Sequence, residues 1–174
     1  GLYVHVPFCE KRCDYCYYLS FGPTPRPIVA AYLDQLCREA ELYFSLPRYA
    51  GKSPTFVYFG GGTPSILSAD ALQSLFAKLG QRLDLRQADE ITFECSPKSI
   101  TPEKLEILRA AGVNRISLGV QQLDDAVLRL SNRIHLEADV RRAAAQIRAL
   151  DFAEFNVDLI AGLHAIPTPA VAHR

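Results

Sequence analysis

The chain predicts an α/β fold, a parallel sheet whose strands are joined by helices. Three observations carry this. Short apolar stretches alternate with amphipathic helical stretches along the chain, the pattern of strand–helix–strand units with right-handed crossovers. The residues richest in chemistry fall just behind those strands or near their ends. Only five strands fit before residues 164–174, a Pro/Ala-rich stretch without periodicity, whereas a closed eight-fold barrel takes about 250 residues. The sheet is therefore expected to be an open or incomplete barrel.

Each element has its own signal. Leu2–Val6 alternates and is stopped by Pro7. Pro23, Pro25 and Pro27 mark an irregular linker, the last suited to the first turn of a helix. That helix carries Tyr32, Leu33, Leu36, Ala40, Tyr43 and Phe44 at helical spacing and ends before Pro47. Residues 55–59 form a second strand running into Gly60-Gly61-Gly62. Ser68 caps a helix whose buried stripe is Leu72, Leu75, Phe76 and Leu79. Glu90–Cys95 is strand three. Thr101 as N-cap, Pro102 behind it and Gly112 past the end frame the next helix. Strand four covers 115–119, and helical segments follow at Asp125–Leu130 and 137–150, the latter with Val140, Ala144 and Ile147 on one face. Strand five covers 155–161.

Composition bounds the function. The 174 residues carry no net charge, and no basic stripe argues for nucleic acid or an anionic membrane surface. No apolar run reaches membrane-span length and no signal peptide is visible. Five cysteines, three of them clustered, favour metal over disulfides and a reducing, cytoplasmic compartment. The chain contains no methionine, which implies that it starts downstream of a native start codon.

The cluster is Cys9, Cys13 and Cys16 in FCEKRCDYC. Extended, this loop would spread its ends by roughly 25 Å, so shared ligation requires it to curl. A cubane iron–sulfur cluster takes four thiolates; three leave one iron open to another ligand. His5 offers an alternative, a structural three-cysteine, one-histidine zinc site. The glycine run 60–62 followed by Thr63 permits close backbone approach to a ligand, or is a tight strand–helix turn. Glu94 stands in the apolar strand ITFEC and needs a partner, for which Arg133 is a candidate. Asp158 in NVDLIAGL is a second carboxylate in an apolar run, and Gln121 lies just past strand four. Either carboxylate could be a satisfied core group instead. Cys37 and Cys95 suit apolar packing. In parallel α/β folds the carboxyl ends of strands share one rim, where sites are built.

FCEKRCDYC after LYVHVP, with YFGGGTPSIL, ITFECSP, RISLGVQ, SNRIH and NVDLIAGL in order, resembles the radical S-adenosylmethionine superfamily. Within it, the chain resembles the oxygen-independent coproporphyrinogen III oxidase-like family with its heme-chaperone and methyltransferase-like relatives. The resemblance runs from residue 2 to about 163. It implies a partial (β/α) TIM-like barrel truncated after about five strands, a 164–174 tail foreign to the family, and an absent C-terminal substrate domain. It implies a 4Fe-4S cluster on Cys9, Cys13 and Cys16, and S-adenosylmethionine, one or two molecules, held by Tyr3, Tyr15, Gly61, Gly62, Thr63, Glu94, Gln121, Arg133 and Asp158. The implied reaction is reductive cleavage of S-adenosylmethionine to a 5′-deoxyadenosyl radical that abstracts hydrogen from a porphyrin-related substrate. An electron donor such as flavodoxin or ferredoxin is the implied partner. Heme transfer on the same scaffold and an inactive or structural metal domain are the alternatives. The oxidases carry a further Cys just after the third; here Tyr17 and Tyr18 stand there, which is closer to the methyltransferase-like relatives.

Overall fold

The computed structural model describes residues 1–49 and 51–163; the predicted 164–174 tail lies outside them. Five strands, β1 (Leu2–Val6), β2 (Phe56–Gly61), β3 (Glu90–Cys95), β4 (Arg115–Gln121) and β5 (Glu154–Leu159), form one sheet in sequence order. Every neighbouring pair is parallel. The crossovers are α1 (Arg26–Ser45), α2 (Ala69–Gly80), α3 (Pro102–Ala110), and the pair α4 (Asp125–Leu130) and α5 (Glu137–Arg148). A sequential parallel order with right-handed crossovers puts every helix on one face, which is the α/β part-barrel expected.

Helix ends follow the sequence signals. The Ser68 hydroxyl accepts from the Ala71 amide, and Thr101 from that of Lys104. Gly112, at φ +95°, closes α3: Val113 N donates to Leu108 O and Gly112 N to Arg109 O, the paired bonds of a left-handed C-terminal cap. Helix α1 carries Pro27 in its first turn, as expected, behind Pro25. In α5 the fully buried stripe is Val140, Ala143 and Ile147, not Ala144, which is half-buried.

Two strands run longer than expected, and both extensions matter. β2 continues into the glycine run as far as Gly61. β4 reaches Gln121 through an irregularity after Gly119, with Gln121 at φ +68°. Strand alternation then divides the sheet. Val4, Val6, Val57, Phe59, Ile91, Phe93, Ile116, Leu118 and Val120 are buried in the core under the helices. The opposite face carries Tyr3, His5, Tyr58, Thr92, Glu94, Ser117, Asn156 and Asp158. A parallel sheet is ordinarily apolar on both sides; a polar inner wall marks a lumen built to hold something. On the helix side of β5, Val157 and Leu159 are exposed. Among the described residues no helix is long and apolar enough to cross a membrane.

Candidate functional site

The cysteine loop leaves β1 at Pro7 and is closed at its neck by two bonds. Phe21 N donates to Pro7 O (2.7 Å) and Cys9 N to Phe21 O (2.8 Å). Inside, Cys16 N donates to Cys13 O (3.1 Å) and the Arg12 guanidinium to Cys16 O (3.0 Å), so the loop curls as shared ligation requires. Two other segments hold its outside. The glycine turn docks through Gly62 N to Val6 O and Thr63 N to Phe8 O, both 2.8 Å. The turn after α4 docks through Asp14 N to Ser131 O (3.3 Å) and Asn132 Nδ2 to Arg12 O (3.0 Å).

That second turn has a definite cause. Asn132 sits at φ +62°, Arg133 N donates to Leu128 O and Asn132 N to Arg129 O, the same left-handed cap that Gly112 gives α3. The cap projects Arg133 into the cleft. Its Nη1 donates to Cys13 Sγ (3.2 Å) and its Nη2 to Gly119 O (2.7 Å). Nη2 also faces His135 Nδ1 at 2.9 Å.

One cleft of about 410 Å³ is lined by Cys9, Cys13, Cys16, Tyr15, Gly61, Gly62, Thr63, Glu94, Gln121, Arg133 and Asp158. Eleven of the twelve site residues that the family resemblance implied thus share one cavity at the carboxyl rim of the sheet. Tyr3 is the exception. It lies lower on the sheet, its ring stacked 6.0 Å from that of Tyr58 and its hydroxyl 3.2 Å from His5 Nδ1.

The expected Glu94–Arg133 pairing is not formed. Tyr58 donates to Glu94 Oε1 (2.6 Å) and Gly61 N to Oε2 (3.2 Å), because β2 is Glu94's neighbour in the sheet while Arg133 is drawn to the sulfur and carbonyl at the end of β4. Burial raises the Glu94 carboxyl above its ordinary value, the bonds from Tyr58 and Gly61 opposing it. Asp158 accepts from Ser117 Oγ (2.9 Å) and Asn156 Nδ2 (2.7 Å). Neither carboxylate has a cation among its hydrogen-bond or ion-pair partners in the described residues. Three buried polar atoms at the cleft lack partners among the described residues, the Tyr15 and Ser20 hydroxyls and Arg133 Nε. Burial also raises the Tyr15 phenol, with Arg133 opposing.

This set fits a ligand with both charge signs. It offers partnered but uncompensated carboxylates, one orphaned guanidinium nitrogen, and glycine backbone with no side chain in the way. Among the described residues no three His, Cys, Asp or Glu side chains converge on one metal-ion position; a cubane takes its thiolates at separate corners. His5 does not turn toward the loop as the zinc alternative needs; its ring lies against Gly61 and Tyr3. Cys95 is buried, its thiol pushed up to about 12 by desolvation, and Cys37 is half-buried. Tyr58, Ser117, Asn156 and His135 escaped the sequence. Period-two alternation puts Tyr58 and Glu94 on one face, but only the register, Phe59 opposite Phe93, makes them neighbours.

Against known proteins, residues 3–167 match the Radical SAM superfamily. The chain is 35% identical to the heme chaperone HemW of Lactococcus lactis over 92% of this chain and 41% of that one. It is 39% identical to mouse radical S-adenosyl methionine domain-containing protein 1, mitochondrial, over 95% and 37%. It is 35% identical to the oxygen-independent coproporphyrinogen III oxidase of Escherichia coli, over 94% and 35%. The solved structure of an E. coli coproporphyrinogen III oxidase superposes with a TM-score of 0.80 at 34% identity, covering 93% of this chain and 37% of that one. The chain thus spans about two fifths of the relatives it matches.

Proposed function

The chain belongs to the radical SAM superfamily, and from that premise we propose that it is the cofactor-binding core of a coproporphyrinogen III oxidase-like radical S-adenosylmethionine enzyme. The observation that supports this most is the single cleft in which three cysteine sulfurs meet the glycine turn, Glu94, Gln121, Arg133 and Asp158. Cys9, Cys13 and Cys16 hold a 4Fe-4S cluster. When bound, the cluster would supply the one electron that cleaves S-adenosylmethionine to methionine and a 5′-deoxyadenosyl radical, and that radical would take hydrogen from the substrate.

The protein's own residues bind and orient. Glu94, held by Tyr58 and the Gly61 amide, keeps acceptor capacity for an ammonium group, and that cation supplies the countercharge its buried position lacks. Arg133 Nε, buried and unpaired, offers a donor to a carboxylate. Gly61, Gly62 and Thr63 line the cofactor with main chain, and Tyr15, Gln121 and Asp158 close the remaining sides. Tyr3 reaches the cofactor by way of Tyr58. A second S-adenosylmethionine beside the first is supported only by the second carboxylate, Asp158, in the same cleft.

A porphyrinogen or heme is the proposed substrate, and a flavodoxin or ferredoxin in the cytoplasm the electron source. Heme transfer is the second reading. It is supported by a heme chaperone at the same identity as the oxidase, while Tyr17 and Tyr18 in place of the oxidases' further cysteine count against the oxidase reaction. Anaerobic reconstitution of the full-length protein, with electron paramagnetic resonance of the reduced form, tests the cluster. Release of 5′-deoxyadenosine on reduction with dithionite, with or without a porphyrinogen, supports the enzyme. Heme binding without that release favours the chaperone, and neither signal with no iron bound sinks both.

A further inference from the structure

His135 lies wholly buried, two residues past Arg133, and carries no assigned role. Its Nε2 lies 3.1 Å from Val120 O, and its Nδ1 2.9 Å from Arg133 Nη2. A carbonyl can only accept, so Nε2 must hold the ring proton and Nδ1 must present its lone pair to the guanidinium. The imidazole is therefore a one-way connector from the end of β4 to Arg133. Desolvation, with the neighbouring Arg133 charge, lowers its pKa to about 4, so the neutral form persists at physiological pH.

Arg133 is gripped on Nη2 by two acceptors, Gly119 O and His135 Nδ1. That grip leaves Nη1 directed at Cys13 Sγ, 3.2 Å away. Building on the reading of Cys13 as a cluster ligand, we propose that His135 is a positioning residue that aims Arg133 at the Cys13 sulfur and thereby raises the reduction potential of the bound cluster. The physics is direct. Reduction adds one electron from the donor to the cluster and makes it more negative, with no protein bond made or broken. A cationic hydrogen-bond donor on a ligand sulfur stabilises the more negative state, one of the ways a protein sets cluster potential.

The test uses reconstituted full-length protein, titrated with dithionite without S-adenosylmethionine, so that Arg133's contact with the cosubstrate plays no part. An asparagine oxygen takes the place of Nδ1 and keeps the acceptor for Arg133; a glutamine reaches the Nε2 position and keeps the Val120 bond instead. His135→Gln is expected to lower the reduced-to-oxidised ratio at a fixed potential about tenfold, ~59 mV for one electron, while His135→Asn leaves it near the parent. Arg133→Lys, which keeps the charge but loses the fork, lowers it as well and serves if the glutamine variant does not fold. Equal shifts in both histidine variants, or none in the glutamine and lysine variants at full iron content, overturn the proposal while the cluster stands. Absence of any cluster in the parent overturns the cluster reading and this proposal together. Nitrogen NMR of the imidazole adds a readout that needs no metal: a ring proton on Nδ1 refutes the arrangement.

Discussion

Gly62→Ala isolates the contact between the cysteine loop and the glycine turn. Gly62 does not adopt a positive φ, so alanine is acceptable to its own backbone. The obstacle is outside: a Cβ there would stand 2.7 Å from Phe8 O, 2.9 Å from Phe8 N and 2.9 Å from the Pro7 carbonyl carbon. All three are main-chain atoms and cannot rotate away. Overpacking of this kind costs about 1–3 kcal/mol. Parting the two segments also weakens Gly62 N to Val6 O and Thr63 N to Phe8 O, at about 1 kcal/mol each. Restricting the unfolded chain returns roughly 0.4–1 kcal/mol. The net expectation is a loss of about 2–5 kcal/mol, read as a lower urea midpoint, and less iron retained after reconstitution. Gly80→Ala is the control. Nothing lies within 4 Å of its Cβ and it ends α2, so its effect is neutral to a gain of up to ~1 kcal/mol. A Gly62→Ala protein with the parent's midpoint and full iron would refute the view that these two segments are locked backbone to backbone.

Glu94→Gln keeps the shape and removes the charge, and S-adenosylmethionine affinity by calorimetry is expected to fall about 10–100-fold, the worth of one charged hydrogen bond; unchanged affinity would remove Glu94 from the site. The folded Glu94 carboxyl titrates above its ordinary value, so the folded chain binds that proton more tightly. Its contribution to stability declines as pH rises from the ordinary glutamate value to the folded one, and the glutamine variant lacks that decline. His135 has the opposite sign: its folded pKa of about 4 lies below the ordinary 6.5. Stability is complete above pH 6.5 and drops by up to roughly 3 kcal/mol toward pH 4; equal acid losses in parent and His135→Asn would contradict this. Thr101→Ala removes the bond to Lys104 N and costs about 1 kcal/mol in urea unfolding, with no effect on iron content.

The elements were legible because their signals are local. Ser68, Thr101 and Gly112 act on residues within a few positions, and the alternation of β1 or β3 needs no partner to be seen. The cysteine loop was legible for the same reason, its three cysteines lying within eight residues. Pairings were not. Arg133, in the turn after α4, was a candidate partner for the strand-borne Glu94, yet the choice depended on which strands adjoin and on the Asn132 cap. His135 was hidden by the ambiguity of a lone histidine: nothing in SNRIH tells a buried connector from a surface ring. The overrun of β2 and β4 was likewise invisible, since glycine and a left-handed glutamine ordinarily signal an end.

The residues that shape the cysteine loop are made at very different times. Arg133 and Asn132 contact Cys13 and Arg12 across 120 positions of sequence, so at the usual pace of translation the thiols are synthesised about 6–24 s before the turn that organises them. During that interval the nascent segment has sulfur but no mould. On the proposed reading of these thiols as cluster ligands, iron delivery would follow the docking of that turn, and a cell short of reductant would lose the thiols to stray oxidants before any cube was seated.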